Sequence, residues 1–132
     1  MLYTFNVTSN HRSEYINIDT LVDQALEKSG VRSGIITVFT PHTTAGITIN
    51  ENADPDVTRD LVYGMNQTFD NKNEYRHAEG NSDSHMKSSL TGASETLIIE
   101  DGKVIYGTWQ STYFAEFDGP RTRTVYIKVI EG

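Results

Sequence analysis

Three histidines stand in polar, glycine-marked segments where a packed core would not place them. They are His42 in T-P-H-T-T-A-G, and His77 and His85 in Y-R-H-A-E-G-N-S-D-S-H-M-K. Neutral imidazole is the commonest protein ligand for a metal ion. Three imidazoles around an ion with one open position make a catalytic zinc site. His42 follows a proline at the end of an apolar run, where a rigid sheet would present it on a loop. His77 and His85 are separated by Gly80, Asn81 and Asp83. That spacing is not a helical H-x-x-x-H pair, so only a loop folding back could bring them together. The competing reading is structural: His42 satisfying a turn carbonyl, and two exposed loop histidines. His11, in S-N-H-R-S, reads as a turn residue.

Candidate proton carriers lie nearby in the chain. Glu79 and Asp83 fall between His77 and His85, and Glu51 follows the strand that begins near His42. A metal site needs carboxylates to orient its imidazoles, and a catalytic one also needs a base. Asp83 could equally cap the helix that carries His85. For an anionic substrate, Arg121 and Arg123 offer forked donors that match phosphate oxygens. Against that stands a solvated edge pair. Thr43, beside His42, and Gln110 are further candidates for substrate contact. Trp109, the single tryptophan, is expected in the core or at an interface.

The 132 residues suit one domain, 1–132, able to bury a core unaided. Without cysteine there are no disulfides and no thiolate ligands, so any metal must be held by nitrogen and oxygen. The formal charge of −7 argues against a broad nucleic-acid footprint. Acid is concentrated between Glu51 and Asp83, where eight carboxylates face three basic side chains, a field that favours cations. No apolar run is long enough to span a bilayer. The first residues lack the basic and apolar regions of a signal peptide, so the expected location is the cytoplasm, away from membranes.

Alternation predicts strands over Leu2 to Thr8, around Tyr15 to Ile18, over Gly34 to Thr40 and over Ala45 to Asn50. Asp19 or Thr20 should cap a short helix ending at Gly30. Asp54 and Pro55 open a second helix with an apolar stripe of Val57, Leu61, Val62 and Met65. Gln67 to Ser82 reads as loop, and Ser84 to Leu90 as a turn or two of helix. The C-terminal third reads as strands: Thr96 to Glu100, a turn at Asp101-Gly102, a return over Val104 to Tyr106, then Thr108 to Phe117 and Thr122 to Ile130. The fold class is α+β, with a mostly antiparallel sheet or sandwich-like body and two or three short helices.

Taken together, P-H-T-T-A-G-I-T-I-N-E-N-A-D-P-D-V-T-R-D-L, then H-x₇-H-M-K-S-S-L-T-G, then G-x₄-G-T-W-Q running into D-G-P-R-T-R resemble the YjbQ family, also called UPF0047. The likeness covers nearly the whole chain. It implies a compact α+β body that assembles as a homotrimer, with a metal-associated site on His42, His77 and His85. It also implies a weak secondary thiamine-phosphate synthase activity, which joins a pyrimidine methyl diphosphate to a thiazole phosphate and releases pyrophosphate. A divalent cation and arginines would neutralise the departing diphosphate. Imidazoles favour zinc or another transition ion, whereas magnesium prefers carboxylates. The expectation is therefore a cytoplasmic, metal-associated enzyme acting on a phosphorylated small molecule, with zinc or alternatively magnesium. Two other readings stay open: a metal-dependent hydrolase with Glu79 or Glu51 as base, and a non-enzymatic trimeric metal- or metabolite-binding protein.

Overall fold

A computed structural model of the chain describes residues 1–132. The elements run β1 (Leu2–Thr8), β2 (Glu14–Asn17), α1 (Asp19–Ser29), β3 (Gly34–Phe39), β4 (Ala45–Glu51), α2 (Pro55–Thr68), α3 (Ser82–Thr91), β5 (Ser94–Glu100), β6 (Lys103–Val104), β7 (Gln110–Glu116) and β8 (Thr122–Glu131). The strands form a five-stranded sheet, β1-β8-β3-β5-β6, and a three-stranded sheet, β2-β7-β4. Every pairing is antiparallel. The fold is α+β, and no helix is long and apolar enough to cross a membrane.

One core lies between the sheets and under α1. It joins Val125, Ile127 and Val129 of β8 and Ile36 and Val38 of β3 to Ile47 of β4, Phe114 of β7, and Val22, Ala25 and Leu26 of α1. Period-two alternation turns these side chains inward from each strand. The outer face of the larger sheet is also apolar at one end: Ile35 stands directly between Ile98 and Ile130, all three exposed.

The local signals mostly act as their chemistry requires. The Asp54 carboxylate accepts from the Asp56 N–H, and Pro55 sits in the first turn of α2. Asp101 and Gly102 both adopt positive φ, 53° and 73°, as a tight type I′ turn demands. Gly30 closes α1 in the left-handed region. Neither Asp19 nor Thr20 caps that helix, however; Ile18 holds the cap position with no side-chain bond. The Asp19 carboxylate is drawn across the core edge instead, accepting from the Thr112 N–H and the Tyr106 hydroxyl. The return strand stops at Val104, short of Tyr106. The last strand before the final turn starts at Gln110, not Thr108, because its side chain accepts the Gly107 N–H in a turn. The stripe on α2 is only half covered, and that helix buries none of its residues. Trp109 is exposed, so it is not a core residue.

Candidate functional site

The site begins where β3 stops. In the β3–β8 ladder Phe39 pairs with Tyr126, and beyond it the chain leaves the sheet. The Thr40 N–H turns to the Ala93 carbonyl, and Pro41 has no N–H to offer. Along β8, the Val129 N–H faces β1, where it meets the Met1 carbonyl. Alternation then aims the even-numbered N–H groups at β3, and Thr124 lies past its end. The His42 ring takes the absent strand's place: its Nε2 accepts the Thr124 N–H at 2.9 Å. Burial lowers the His42 pKa and Arg123 adds to the effect, while Glu116 opposes it.

His85 is placed by α3. The helix presents Ser84, Lys87 and Ser88 to the body of the protein, and each is fixed by a directional bond. The Ser84 hydroxyl donates to the Phe117 carbonyl and the Ser88 hydroxyl to the Ala45 carbonyl, both at 2.6 Å. The Lys87 ammonium donates to the Asn66 amide oxygen and stands 3.8 Å from the Asp83 carboxylate. Gly46 permits this approach: a Cβ there would sit 2.8 Å from the Thr91 methyl. His77 arrives on the loop before α3. Its ring meets that of His85 edge to face, with centroids 5.1 Å apart.

These pieces enclose a polar cleft of about 310 Å³. His42, His77, His85, Thr43, Glu79, Arg121 and Arg123 all line it. Residues from three distant stretches of sequence are thus gathered in one place. Pro41 borders it beside His42, and Asn81, Thr44 and Asp118 complete the wall. Sequence reasoning passed over these three, although Asn81 lies between two singled-out histidines and Asp118 opens the D-G-P turn. Asp118 ties the cleft together. One of its carboxylate oxygens accepts from the Asn81 amide at 2.8 Å and from the Arg121 guanidinium at 3.3 Å.

Four expected roles change. Arg123 is no surface clamp; it is buried against the fully buried Glu116, which it meets through Nε and Nη2. Asp83 does not line the cleft. It is largely buried in the first turn of α3, paired with Arg12 at 3.3 Å and with Lys87, so its carboxylate is structural. Glu51 and Gln110 face each other in register at the far end of β4 and β7, beside Trp109. Seven residues of strand, roughly 20 Å, separate them from His42's end of β4, too far for a base or a substrate contact in this cleft.

No group of three or more His, Asp or Glu side chains is arranged to hold an ion. A three-imidazole sphere is not formed: the Nε2 lone pair of His42 is taken by the Thr124 N–H. Of the three cleft histidines, His77 and His85 make no side-chain hydrogen bond within the protein. They also border a second, mainly apolar groove of about 680 Å³ with Phe69, Met86 and Leu90. The pair therefore stands between a polar space and an apolar one.

The fold and the sequence both have relatives. Residues 3–132 match the family model described as UPF0047 protein YjbQ-like. The UPF0047 protein YugU of Bacillus subtilis is 50% identical over 131 residues, covering 98% of this chain and 99% of that protein. The UPF0047 protein MJ1081 of Methanocaldococcus jannaschii is 48% identical over 130 residues, covering 98% and 94%. A crystal structure from Clostridium acetobutylicum, an uncharacterized conserved protein of the YjbQ/UPF0047 family, superposes with a TM-score of 0.94 at 51% identity, covering 97% of this chain and 99% of that one. A hypothetical protein from Aeropyrum pernix K1 reaches the same TM-score at 28% identity, covering 100% and 99%. The chain belongs to the YjbQ-like UPF0047 family.

Proposed function

We propose that the protein is a metal-associated enzyme acting on a phosphorylated small molecule in the polar cleft, with the weak thiamine-phosphate synthase reaction as its candidate activity. One observation supports this above all: His42, His77, His85, Thr43 and Arg121 converge on one small space whose wall is polar apart from Pro41. Arginine and imidazole N–H groups suit phosphate oxygens. The adjoining groove offers room for the unphosphorylated part of the molecule. A transition ion would be held by the His77–His85 pair, with water or substrate oxygens completing its sphere, and would supply charge neutralisation to a departing diphosphate. Glu79 is the one carboxylate of the expected catalytic set that lines the cleft, and it is the candidate base. The cytoplasmic setting expected from the sequence is part of the same proposal.

The test mixes purified protein, zinc or magnesium, a pyrimidine methyl diphosphate and a thiazole phosphate, and measures pyrophosphate release. Activity should appear in the unaltered protein and vanish in His77→Ala. Release at the same rate in both would sink the reading, as would a failure of the intact protein to rescue a thiamine auxotroph.

Assembly as a homotrimer belongs to this proposal too. The exposed row Ile98–Ile35–Ile130 and the stacked Phe39–Tyr126 pair, on strands of the same sheet, support self-association. Sedimentation equilibrium checks it; a monomer at all concentrations would refute it.

A further inference from the structure

We infer that His42 serves the cleft as a neutral hydrogen-bond donor through Nδ1, directed at an anionic ligand oxygen, and that it is not a metal ligand. A neutral imidazole has one N–H and one lone pair. The Thr124 N–H donates to Nε2 at 2.9 Å, so the lone pair is at Nε2 and the proton at Nδ1. The alternative ring orientation would set a carbon against that N–H. The amide would then be stranded, since β3 has already turned away from β8.

Binding a cation at Nε2 would break the Thr124 bond. Binding one at Nδ1 while Nε2 still accepts would require an imidazolate. Neither constraint applies to His77 or His85. Nδ1 of His42 makes no hydrogen bond within the protein, and its ring lines the cleft beside Thr43 and Arg121. An N–H in that position matches an oxygen of phosphate or diphosphate, not a positive ion. The three histidines thus divide into one anion reader and two candidate ligands. The tautomer stands on geometry alone; the anionic partner rests on the function proposed above.

Two substitutions separate the two faces of the ring. His42→Gln sets a carbonyl oxygen where Nε2 accepts, but offers nothing at Nδ1. His42→Asn sets an N–H near Nδ1, but leaves Thr124 without its acceptor. Nitrogen-15 NMR of the full-length protein should show the Nδ1–H form, unchanged when zinc is added. His42→Gln should keep the thermal midpoint and zinc content of the unaltered protein while its pyrophosphate affinity falls about ten- to a hundredfold, the loss of a charge-assisted hydrogen bond. His42→Asn should bind pyrophosphate within about threefold of normal but melt earlier, one amide being left unpaired. An Nε2–H form, a zinc-induced shift at His42, loss of zinc in His42→Gln, or unaltered pyrophosphate binding by that variant would each overturn the inference. If the unaltered protein itself failed to bind pyrophosphate, the phosphorylated-ligand reading and the donor role would fall together. The NMR result would still fix the tautomer.

Discussion

The guanidinium of Arg123 and the carboxylate of Glu116 meet inside the protein, at 3% and 0% exposure. They also anchor the cleft. The Arg123 fork donates to the Thr44 hydroxyl at 2.8 Å, and Thr124, next in the chain, holds His42. Burial alone would raise the Glu116 pKa, but hydrogen bonds from Arg123, the Asp118 N–H and the Ser9 hydroxyl hold it below the usual carboxylate range. A depressed folded-state pKa adds stability that is complete above the unfolded value, about 4, and lost as pH falls through the folded value. Glu116→Gln should destabilise the neutral protein by about 3–5 kcal/mol, because Arg123 is left buried without its anion. It should also flatten the acid limb of the curve. Urea melts between pH 7 and pH 2 check both; parallel curves for the two proteins would contradict the account.

The His77–His85 pair predicts a pattern of metal retention. His77→Ala and His85→Ala should each lower zinc affinity by about a hundredfold or more, since even an outer partner of a ligand is worth tenfold to a hundredfold. Elemental analysis after dialysis, with Glu51→Gln as a control remote from the cleft, reads this directly. Equal zinc in all the variants would remove the pair as ligands.

Asp83 and Lys87 should behave as structure, not chemistry. Lys87 is almost fully buried, and burial lowers its pKa while Asp83 opposes the shift. Asp83→Ala strands the ammonium and should cost about 3–5 kcal/mol. The double variant Asp83→Leu/Lys87→Met should recover much of that loss, as apolar replacements of buried pairs often do. Thermal denaturation of the three proteins decides it. A double variant as unstable as Asp83→Ala would show that the ion pair itself is indispensable.

Gly46 tests the seat of α3. A methyl group there would meet the Thr91 side chain at 2.8 Å and the Gly92 carbonyl at 2.9 Å. Overpacking of this kind typically costs about 1–3 kcal/mol. Gly46→Ala should also move His85 and weaken pyrophosphate binding, whereas Gly64→Ala, with open space around its Cβ, should do neither. Identical binding by both variants would separate the α3 seat from the cleft.

Alternation made the strands readable, and it also held an answer that went unused. Val125, Ile127 and Val129 turn inward, and counting back by two puts Arg123 on the same buried face. Its charge suggested substrate, while its register dictated burial. The convergence of His42, His77 and His85 was readable as residue types but not as distances, because a loop and two sheets intervene. Glu51 failed for the opposite reason. It lies close to His42 in the chain, but an extended strand carries it away. The Asp19 cap failed because a tertiary partner, Thr112, outbid the local N–H groups for the same oxygen.

Ser84, Lys87 and Ser88 hold α3 by bonds that have direction, and this bears on how the family can diversify. A greased helix slides along its bed; a pegged one does not. His85 is therefore a stationary landmark, and so is His42 on its amide peg. His77 hangs on the stretch between Phe69 and Asn81, outside the regular elements. Insertions or deletions in that stretch would retune one imidazole against two fixed ones, giving evolution a single adjustable jaw on an otherwise rigid vice.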